Sequence, residues 1–259
     1  VCSVYAADVD GDGDIDVLFT SKDDDEIAWY ENDGTGNFTV HTISTSADEA
    51  RSVYATDVDS DGDMDVLSAS YLDDKIAWYE NNGSEVFSEH TISTSANGAY
   101  SVYATDLDGD GDMDVLSASY LDDKIAWYEN NGSETFTTHT ISTSADGAHS
   151  VYACDVDGDG DMDVLSASGY DDKIAWYEND GSEVFTENII SISANNAQSV
   201  YATDIDGDGD IDVLSASEFD NKIAWYENNG SEVFTEHTIS ISASGAGCVY
   251  AADIDGDGD

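Results

Sequence analysis

The residues best suited to chemistry are aspartates in a nine-residue motif that recurs along the chain. The motif, Asp-x-Asp-x-Asp-Gly-Asp-x-Asp, begins at Asp8, Asp57, Asp106, Asp155 and Asp204, always 49 residues after the previous copy, and a sixth copy runs from Asp253 to Asp259. Five carboxylates within nine residues repel one another unless a cation lies among them. Oxygen ligands without His or Cys favour Ca²⁺ over zinc or copper, and Mg²⁺ fits less well because it keeps its waters. The motif therefore predicts about one Ca²⁺ for each complete copy.

Two other kinds of calcium loop do not fit the residues. An EF-hand needs an acidic residue at position 12 and a helix on each side. Position 12 is Phe19 in the first copy and Ser in the other four, and the flanking residues have strand composition. A nonapeptide calcium roll has a much shorter repeat. Solvated acidic turns without a metal are the simpler alternative, but five intact copies argue against them.

The whole chain repeats with the motif, in units 1–50, 51–99, 100–148, 149–197 and 198–246 and a partial unit 247–259. Each unit holds four runs of strand composition, in the third unit SVYATD, MDVLSAS, KIAWYEN and TFTTHTIST, and none has a helical period. This predicts an all-β chain, a β-propeller of four-stranded antiparallel blades with five repeats and a truncated sixth. An open β-solenoid is the alternative. We expect residues 1–259 to be a single propeller domain or a fragment of one, from a longer gene product.

The aspartate loop between the first two strands resembles the calcium hairpin of FG-GAP/VCBS-type repeats, the family that includes the integrin α-subunit propeller. The resemblance covers essentially the whole chain. The Phe-Gly and Gly-Ala-Pro elements of the family are absent, so the chain is closer to the bacterial VCBS-like branch.

The resemblance implies that side chains at positions 1, 3, 5 and 9 of each loop bind Ca²⁺ and that position 7 offers its backbone carbonyl. The implied side-chain ligands are Asp8, Asp10, Asp12 and Asp16; Asp57, Asp59, Asp61 and Asp65; Asp106, Asp108, Asp110 and Asp114; Asp155, Asp157, Asp159 and Asp163; and Asp204, Asp206, Asp208 and Asp212. The implied carbonyl ligands are Asp14, Asp63, Asp112, Asp161 and Asp210. We expect the metal to be structural and to stabilise the fold by mass action.

A few columns differ between the near-identical units. Just before the predicted first strand the residues are Cys2, Arg51, Tyr100, His149, Gln198 and Gly247, and two further variable patches lie between strands two and three and between units. In an up-and-down blade these three patches share one face, opposite the aspartate loops. The residues predicted to bind a ligand there are Arg51, Tyr100, His149, Gln198, Tyr71, Tyr120, Tyr170 and Phe219. Drift of exposed loop residues is the alternative explanation.

The charge of the chain restricts its partners. With 58 acidic and 6 basic residues, the formal net charge is −52, which repels nucleic acid and anionic lipid. No run of the sequence has the length and apolarity needed for membrane insertion. The predicted function is a non-enzymatic, extracellular or cell-surface propeller that binds a protein or carbohydrate. A propeller domain of a secreted polysaccharide-acting enzyme and a structural spacer in a large adhesin are the alternatives.

Overall fold

The computed structural model describes residues 1–254, and within them the chain forms twenty β-strands and no helix, hence no helix that could cross a membrane. The strands are β1 Ser3–Ala7, β2 Asp16–Ser21, β3 Glu26–Asn32, β4 Phe38–Ser44, β5 Ala50–Thr56, β6 Asp65–Ser70, β7 Lys75–Asn81, β8 Phe87–Ser93, β9 Ala99–Thr105, β10 Asp114–Ser119, β11 Lys124–Asn130, β12 Phe136–Ser142, β13 Ala148–Cys154, β14 Asp163–Ser168, β15 Lys173–Asn179, β16 Phe185–Ser191, β17 Ala197–Thr203, β18 Asp212–Ser217, β19 Lys222–Asn228 and β20 Phe234–Ser240.

Each set of four consecutive strands forms one antiparallel sheet in chain order, from β1–β4 to β17–β20. We call these sheets blades 1 to 5. The strands pair only with sequence neighbours in their own sheet, and Leu116 of β10, for example, lies opposite Trp127 of β11. The expected all-β propeller blades are confirmed, whereas the parallel pairing of a solenoid is not found in residues 1–254. The rest of the sixth motif, Asp255 to Asp259, lies outside the described residues.

The apolar core lies between neighbouring blades rather than within one blade. Leu116 and Trp127 of blade 3 pack against Val151, Val164 and Tyr177 of blade 4 in one buried cluster, and the same arrangement recurs at the other blade-to-blade contacts. Burying an aromatic side chain of this size stabilises a fold by roughly 3 kcal/mol. Four of the five tryptophans are only 1% exposed, so they are core residues and offer no face to a ligand.

Polar contacts also link the blades. In each blade from 2 to 5 a lysine donates to a main-chain carbonyl of the preceding blade, at distances between 2.8 and 3.4 Å. These lysines are Lys75, Lys124, Lys173 and Lys222. They account for four of the six basic residues of the chain, so most of the positive charge is used to join blades.

The first strands of successive blades lie side by side around the inside of the array. A tyrosine from each, followed by Tyr250 of the sixth unit, forms a ladder whose neighbouring ring centroids are 4.7 to 4.9 Å apart. Its members are Tyr5, Tyr54, Tyr103, Tyr152, Tyr201 and Tyr250. Val249 donates to the Ser199 hydroxyl at 3.2 Å, as the matching valines of blades 2 to 5 do to the serine of the blade before. The sixth unit therefore begins in register with the other five.

Candidate metal loops and ligand face

The aspartate loops connect the first and second strands of each blade. In blade 3 the loop joins β9 to β10, and Gly109 and Gly111 adopt φ of +78° and +97°, a backbone region that glycine enters without steric cost. These two residues curl the chain so that its side chains converge. In blade 2, Ser60 replaces the first of the two glycines and still adopts φ of +62°.

Backbone N–H groups orient the carboxylates in the first half of the loop. Gly111 donates to Asp106 at 3.1 Å, and the N–H of Asp110 donates to Asp108, also at 3.1 Å. The N–H of Asp112 donates to Asp110 at 2.9 Å. Each carboxylate oxygen has more than one lone-pair site, so a carboxylate held in this way can still bind a cation.

The carboxylate at position 9 begins the second strand and is fully buried. Asp114 accepts hydrogen bonds from the N–H groups of Leu107 at 3.0 Å and Asn130 at 2.7 Å. Burial outweighs these bonds and raises the pKa of Asp114 to about 6. It also raises the pKa of Asp65 to about 7 and that of Asp163 to about 6. A cation beside these groups would offset the cost of a buried negative charge.

The donor set fits a divalent cation that prefers oxygen. In four loops, carboxylate oxygens from positions 1, 3 and 9 lie within 4.8 Å of one another, and in the second loop the trio is Asp57, Asp59 and Asp61. In the first loop, Asp8 Oδ1 is buried and accepts no hydrogen bond within residues 1–254. An unpaired buried carboxylate oxygen is costly unless a cation binds it. Hard oxygen ligands of this kind suit Ca²⁺.

Position 7 is arranged differently from the other aspartates of the loop. The carboxylate of Asp112 lies against Gly132 in the turn between β11 and β12, where any side chain at Gly132 would collide with it. The matching contact occurs in the other four blades. The carboxylate at position 7 is thus directed towards this turn. The aspartate loops and the turns between the third and fourth strands of each blade form one face of the array, which we call the loop face.

The opposite side carries the turns between second and third strands and the connections between blades; we call it the variable face. The N–H of Tyr71 donates to the Glu49 carbonyl at 3.2 Å, which ties these two kinds of segment together. The sequence predicted that the first strand of each blade begins just after Arg51, Tyr100, His149 and Gln198. This start was wrong by two residues, because each strand begins one residue before these positions. Each is the second residue of its strand, at a β-bulge that leaves it without a partner in the ladder. Bulges of this kind re-aim a side chain.

Six of the eight predicted ligand-face residues form one aromatic cluster across blades 2 to 4. The Arg51 guanidinium lies 5.1 Å from the Tyr71 ring centroid and 5.2 Å from that of Tyr100, and it forms an ion pair with Glu49. The cluster continues through ring contacts of 4.7 to 6.4 Å. Its residues are Arg51, Tyr71, Tyr100, Tyr120, His149 and Tyr170.

The other two predicted residues lie on blade 5. Gln198 is half-buried and donates to the Asn196 carbonyl at 3.5 Å, while Phe219 is 68% exposed and makes no ring contact with the cluster in the described part of the chain. His149 is 8% exposed, and its Nδ1 lies 3.1 Å from the Ala197 carbonyl. Burial lowers the pKa of His149 to about 4, so the ring is neutral at pH 7 and donates from Nδ1.

Leucines on the variable face were missed by sequence reasoning. Leu72 and Leu121 are 60% and 53% exposed, and they occupy the same column as Tyr170 and Phe219. The 49-residue spacing could have identified them, because it aligns these leucines with Tyr170 and Phe219. Together these four side chains place one large exposed apolar group on each of blades 2 to 5. Contiguous exposed apolar groups mark interaction surfaces more often than scattered ones do.

The histidines of the outer strands are held by packing. His139 stacks on Trp127 with ring centroids 4.5 Å apart, and its Nε2 lies 2.8 Å from Glu129. The same pair of contacts occurs at His41, His90 and His237. This geometry accounts for the histidine column without a catalytic role.

Comparison with known proteins identifies repeats of the same kind along the chain. The FG-GAP-like repeat model matches residues 8–68, 57–117, 106–166, 155–215 and 204–259. No match was found among curated proteins.

Solved structures with the same fold have low sequence identity. An Agrocybe aegerita lectin that recognises non-reducing terminal N-acetylglucosamine has a TM-score of 0.63 and 19% identity, over 93% of this chain and 66% of the lectin. A proposed 6-phosphogluconolactonase from Bacteroides uniformis has a TM-score of 0.63 and 12% identity, over 90% and 69%. The V. cholerae biofilm matrix protein Bap1 has a TM-score of 0.58 and 18% identity, over 95% of this chain and 40% of that protein. The chain thus spans just under two thirds of the lectin and less than half of the biofilm protein.

Proposed function

Because the chain belongs to the FG-GAP-like repeat family, we propose that it is a calcium-binding, non-enzymatic β-propeller that binds a protein or carbohydrate ligand outside the cell. In this proposal residues 1–259 belong to a single propeller domain. The loop face holds the metal and the variable face holds the ligand. The observation that carries the proposal is the variable face of blades 2 to 5, because the otherwise near-identical blades differ there and four large apolar side chains, Leu72, Leu121, Tyr170 and Phe219, stay exposed on it.

Calcium is proposed to bind in each complete loop, through the carboxylates at positions 1, 3, 5 and 9 and the carbonyl at position 7. A bound ion would supply the positive charge that neutralises the converging carboxylates. The buried Asp8 oxygen without a hydrogen bond and the raised pKa values of Asp65, Asp114 and Asp163 support this assignment. The metal is then part of the scaffold, since ligands on the loop face are enclosed by the loop itself.

The chemistry of the variable face favours a neutral or cationic ligand. The net charge of −52 repels polyanions such as nucleic acid. Arg51 already shows how the tyrosines receive a cation, because its guanidinium lies over Tyr71 and Tyr100. Exposed Leu72 and Leu121 bury well against a polypeptide, and this favours a protein ligand.

A carbohydrate ligand is the second candidate. The exposed rings of Tyr170 and Phe219 support it, since sugar rings pack on aromatic faces, and so does the likeness in fold to a lectin. The likeness to a biofilm matrix protein supports an extracellular or cell-surface location and an adhesive role. Fold alone does not decide between binding and catalysis. The proposal that the protein is non-enzymatic rests on two observations. The aspartates lie in the proposed metal loops, and four histidines stack on tryptophans and bond to glutamates.

A matched pair of variants tests the ligand face. Wild-type protein with calcium would be screened against immobilised neutral glycans and a displayed random-peptide library. Binding of the recovered ligands should fall at least about tenfold in Tyr120→Ser/Tyr170→Ser, as for loss of aromatic anchors. It should be retained in Val86→Ser/Val184→Ser, which removes two side chains that are each 58% exposed outside the variable face. Equal binding by both double variants would contradict the proposed ligand face.

A further inference from the structure

A buried asparagine at the end of the third strand connects the metal loops of neighbouring blades. Asn130 of blade 3 is 1% exposed, and its Nδ2 donates to the Met113 carbonyl in its own loop and to the Val58 carbonyl in the loop of blade 2, both at 3.3 Å. Asn81 and Asn228 form the same two bonds, within their own loop and to the preceding one. One carboxamide therefore contacts two metal loops.

The same asparagine also holds its own loop by its main chain. The N–H of Asn130 donates to the position 9 carboxylate of Asp114 at 2.7 Å, and its Oδ1 accepts from Gly132 at 3.2 Å. The Val58 carbonyl, which Asn130 binds across the joint, lies between Asp57 and Asp59, the first two carboxylates of the blade 2 loop. Asn130 thus links the position 9 carboxylate of its own loop to the position 2 carbonyl of the preceding loop, so that a movement of one loop displaces a group of the other.

A glutamate of the next blade faces the same joint. Glu232 of blade 5 lines a cleft of about 60 Å³ together with Asp155 and Asp157 of the blade 4 loop. At the matching joint, Glu134 of blade 3 lies near enough to Asp59 of the blade 2 loop for their charges to interact. At these two joints, carboxylates of neighbouring blades therefore face one another, and they repel one another unless a cation lies between or beside them.

The backbone at this glutamate is strained. Glu85, Glu134, Glu183 and Glu232 all have φ between +56° and +59°, a left-handed region that is unfavourable for a residue with a side chain. In blade 1 the same column holds Gly36, with φ of +90°.

From these contacts we infer that the metal loops of blades 1, 2 and 4 are each completed by the following blade, so that cation binding fastens the joint between the two blades. The asparagine is the positioning residue, because it fixes the position 2 carbonyl of the preceding loop. The glutamate supplies additional negative charge to that loop. By reciprocity, a firmer joint raises the affinity of the loop for the cation by the same factor by which the cation strengthens the joint. The inference rests on the proposed calcium binding.

Asparagine variants test the joint, with blade 1 as the matched control. Asn32 occupies the same column, but its Nδ2 donates only to the Ile15 carbonyl of its own blade in residues 1–254. Hydrogen exchange with and without calcium would be measured for Asn130→Ala and Asn32→Ala. Asn130→Ala should reduce calcium-dependent protection of residues 57–65, across the joint, by about fivefold, as for loss of one buried hydrogen bond. Asn32→Ala should affect residues 8–16 and leave 57–65 unchanged.

Glutamate variants give a second measurement that leaves the buried core intact, since Glu134 and Glu232 are exposed. Glu134→Gln/Glu232→Gln should weaken calcium binding at two of the five complete loops by about threefold in calorimetric titrations, a magnitude usual for partly exposed charge pairs. Asp48→Asn/Asp146→Asn removes the same charge from the variable face and should leave all affinities within error. An equal effect of both double variants would mean that only net charge matters, and it would overturn the inference.

The outcomes separate the inference from the proposed function. Wild-type protein that binds no calcium in the titration would overturn both. Calcium binding together with protection changes confined to 106–114 in Asn130→Ala would overturn the inference alone, because the loop would then respond only to its own blade. Loss of protection at 57–65 in Asn130→Ala, but not in Asn32→Ala, supports the inference.

Discussion

The two faces of the array belong to the same five blades, but their side chains differ in how they contact the main chain. On the loop face, the carboxylate at position 9 is bonded to the main chain: Asp114 accepts hydrogen bonds from the N–H groups of Leu107 and Asn130. On the variable face, the bulged residues Tyr100 and His149 have no ladder partner to hold. Five copies of one scaffold therefore carry a fixed chemistry on one side and a changeable surface on the other.

The difference teaches which positions can vary without loss of the fold. A substitution at position 9 removes a buried carboxylate, two backbone hydrogen bonds and a proposed metal ligand together. A substitution at the bulge changes one side chain whose neighbours are mostly other side chains of the same surface. Constancy on the loop face thus reflects several simultaneous requirements on one residue, and the predictions below test that contrast.

Removal of calcium should have the largest effect. Each ion present at a hundred times its dissociation constant stabilises the fold by about 2.7 kcal/mol. Because each kcal/mol shifts the melting temperature of a domain of this size by about 2–4 °C, five ions account for a shift on the order of 30 °C. Thermal melting followed by circular dichroism, with EGTA and then with calcium restored, measures it. Magnesium in place of calcium is the control. An unchanged melting midpoint in EGTA would contradict the proposed metal binding on the loop face.

A single buried carboxylate should outweigh a single exposed ring. Asp114→Ala leaves the N–H groups of Leu107 and Asn130 without their acceptors and should lower the free energy of unfolding by about 3 kcal/mol even in EGTA. Tyr170→Ala on the variable face, where the side chain is 64% exposed, should cost less than about 1 kcal/mol. Urea denaturation of both variants compares the faces directly. Similar losses would show that the aromatic cluster is structural as well.

Acid should affect the variable face through His149. Its pKa of about 4 in the folded protein lies below the ordinary value of 6.5, so the unfolded chain takes up the proton first as the pH falls. The stability contributed by the neutral ring is complete above about pH 6.5 and is lost progressively towards pH 4, by at most about 3 kcal/mol. Urea denaturation in EGTA between pH 7 and 4 measures it against His149→Gln. If the two proteins lose stability in parallel, the histidine does not titrate as its burial implies.

Much of this structure could be read from the sequence, because strand composition and a fixed repeat act on the same residues. The runs MDVLSAS and KIAWYEN became β10 and β11 nearly to the residue. The bulge at Tyr100 was not predictable, since register within a sheet depends on pairing across strands. The tyrosine ladder and the Asn130 bridge were missed for the same reason: both join residues of different blades. Residues 49 or 72 positions apart come into contact only once the blades are stacked.

The smallest expected effect is at position 4 of the loop, where blade 2 has a serine and the other four blades have a glycine. Ser60 adopts φ of +62° where Gly11, Gly109, Gly158 and Gly207 occupy the matching position with φ of +75° to +78°. A residue with a Cβ is strained there, so Ser60→Gly should stabilise the metal-free protein by about 0.5–1 kcal/mol. Gly109→Ser, which puts the blade 2 residue into blade 3, should destabilise it by the same amount. No atom lies within 4 Å of a Cβ built at Gly109, so the exchange tests backbone strain without a steric clash. Urea denaturation of the two variants in EGTA should therefore give changes in the free energy of unfolding of equal size and opposite sign. Changes of the same sign would mean that the loop tolerates variation as the variable face does.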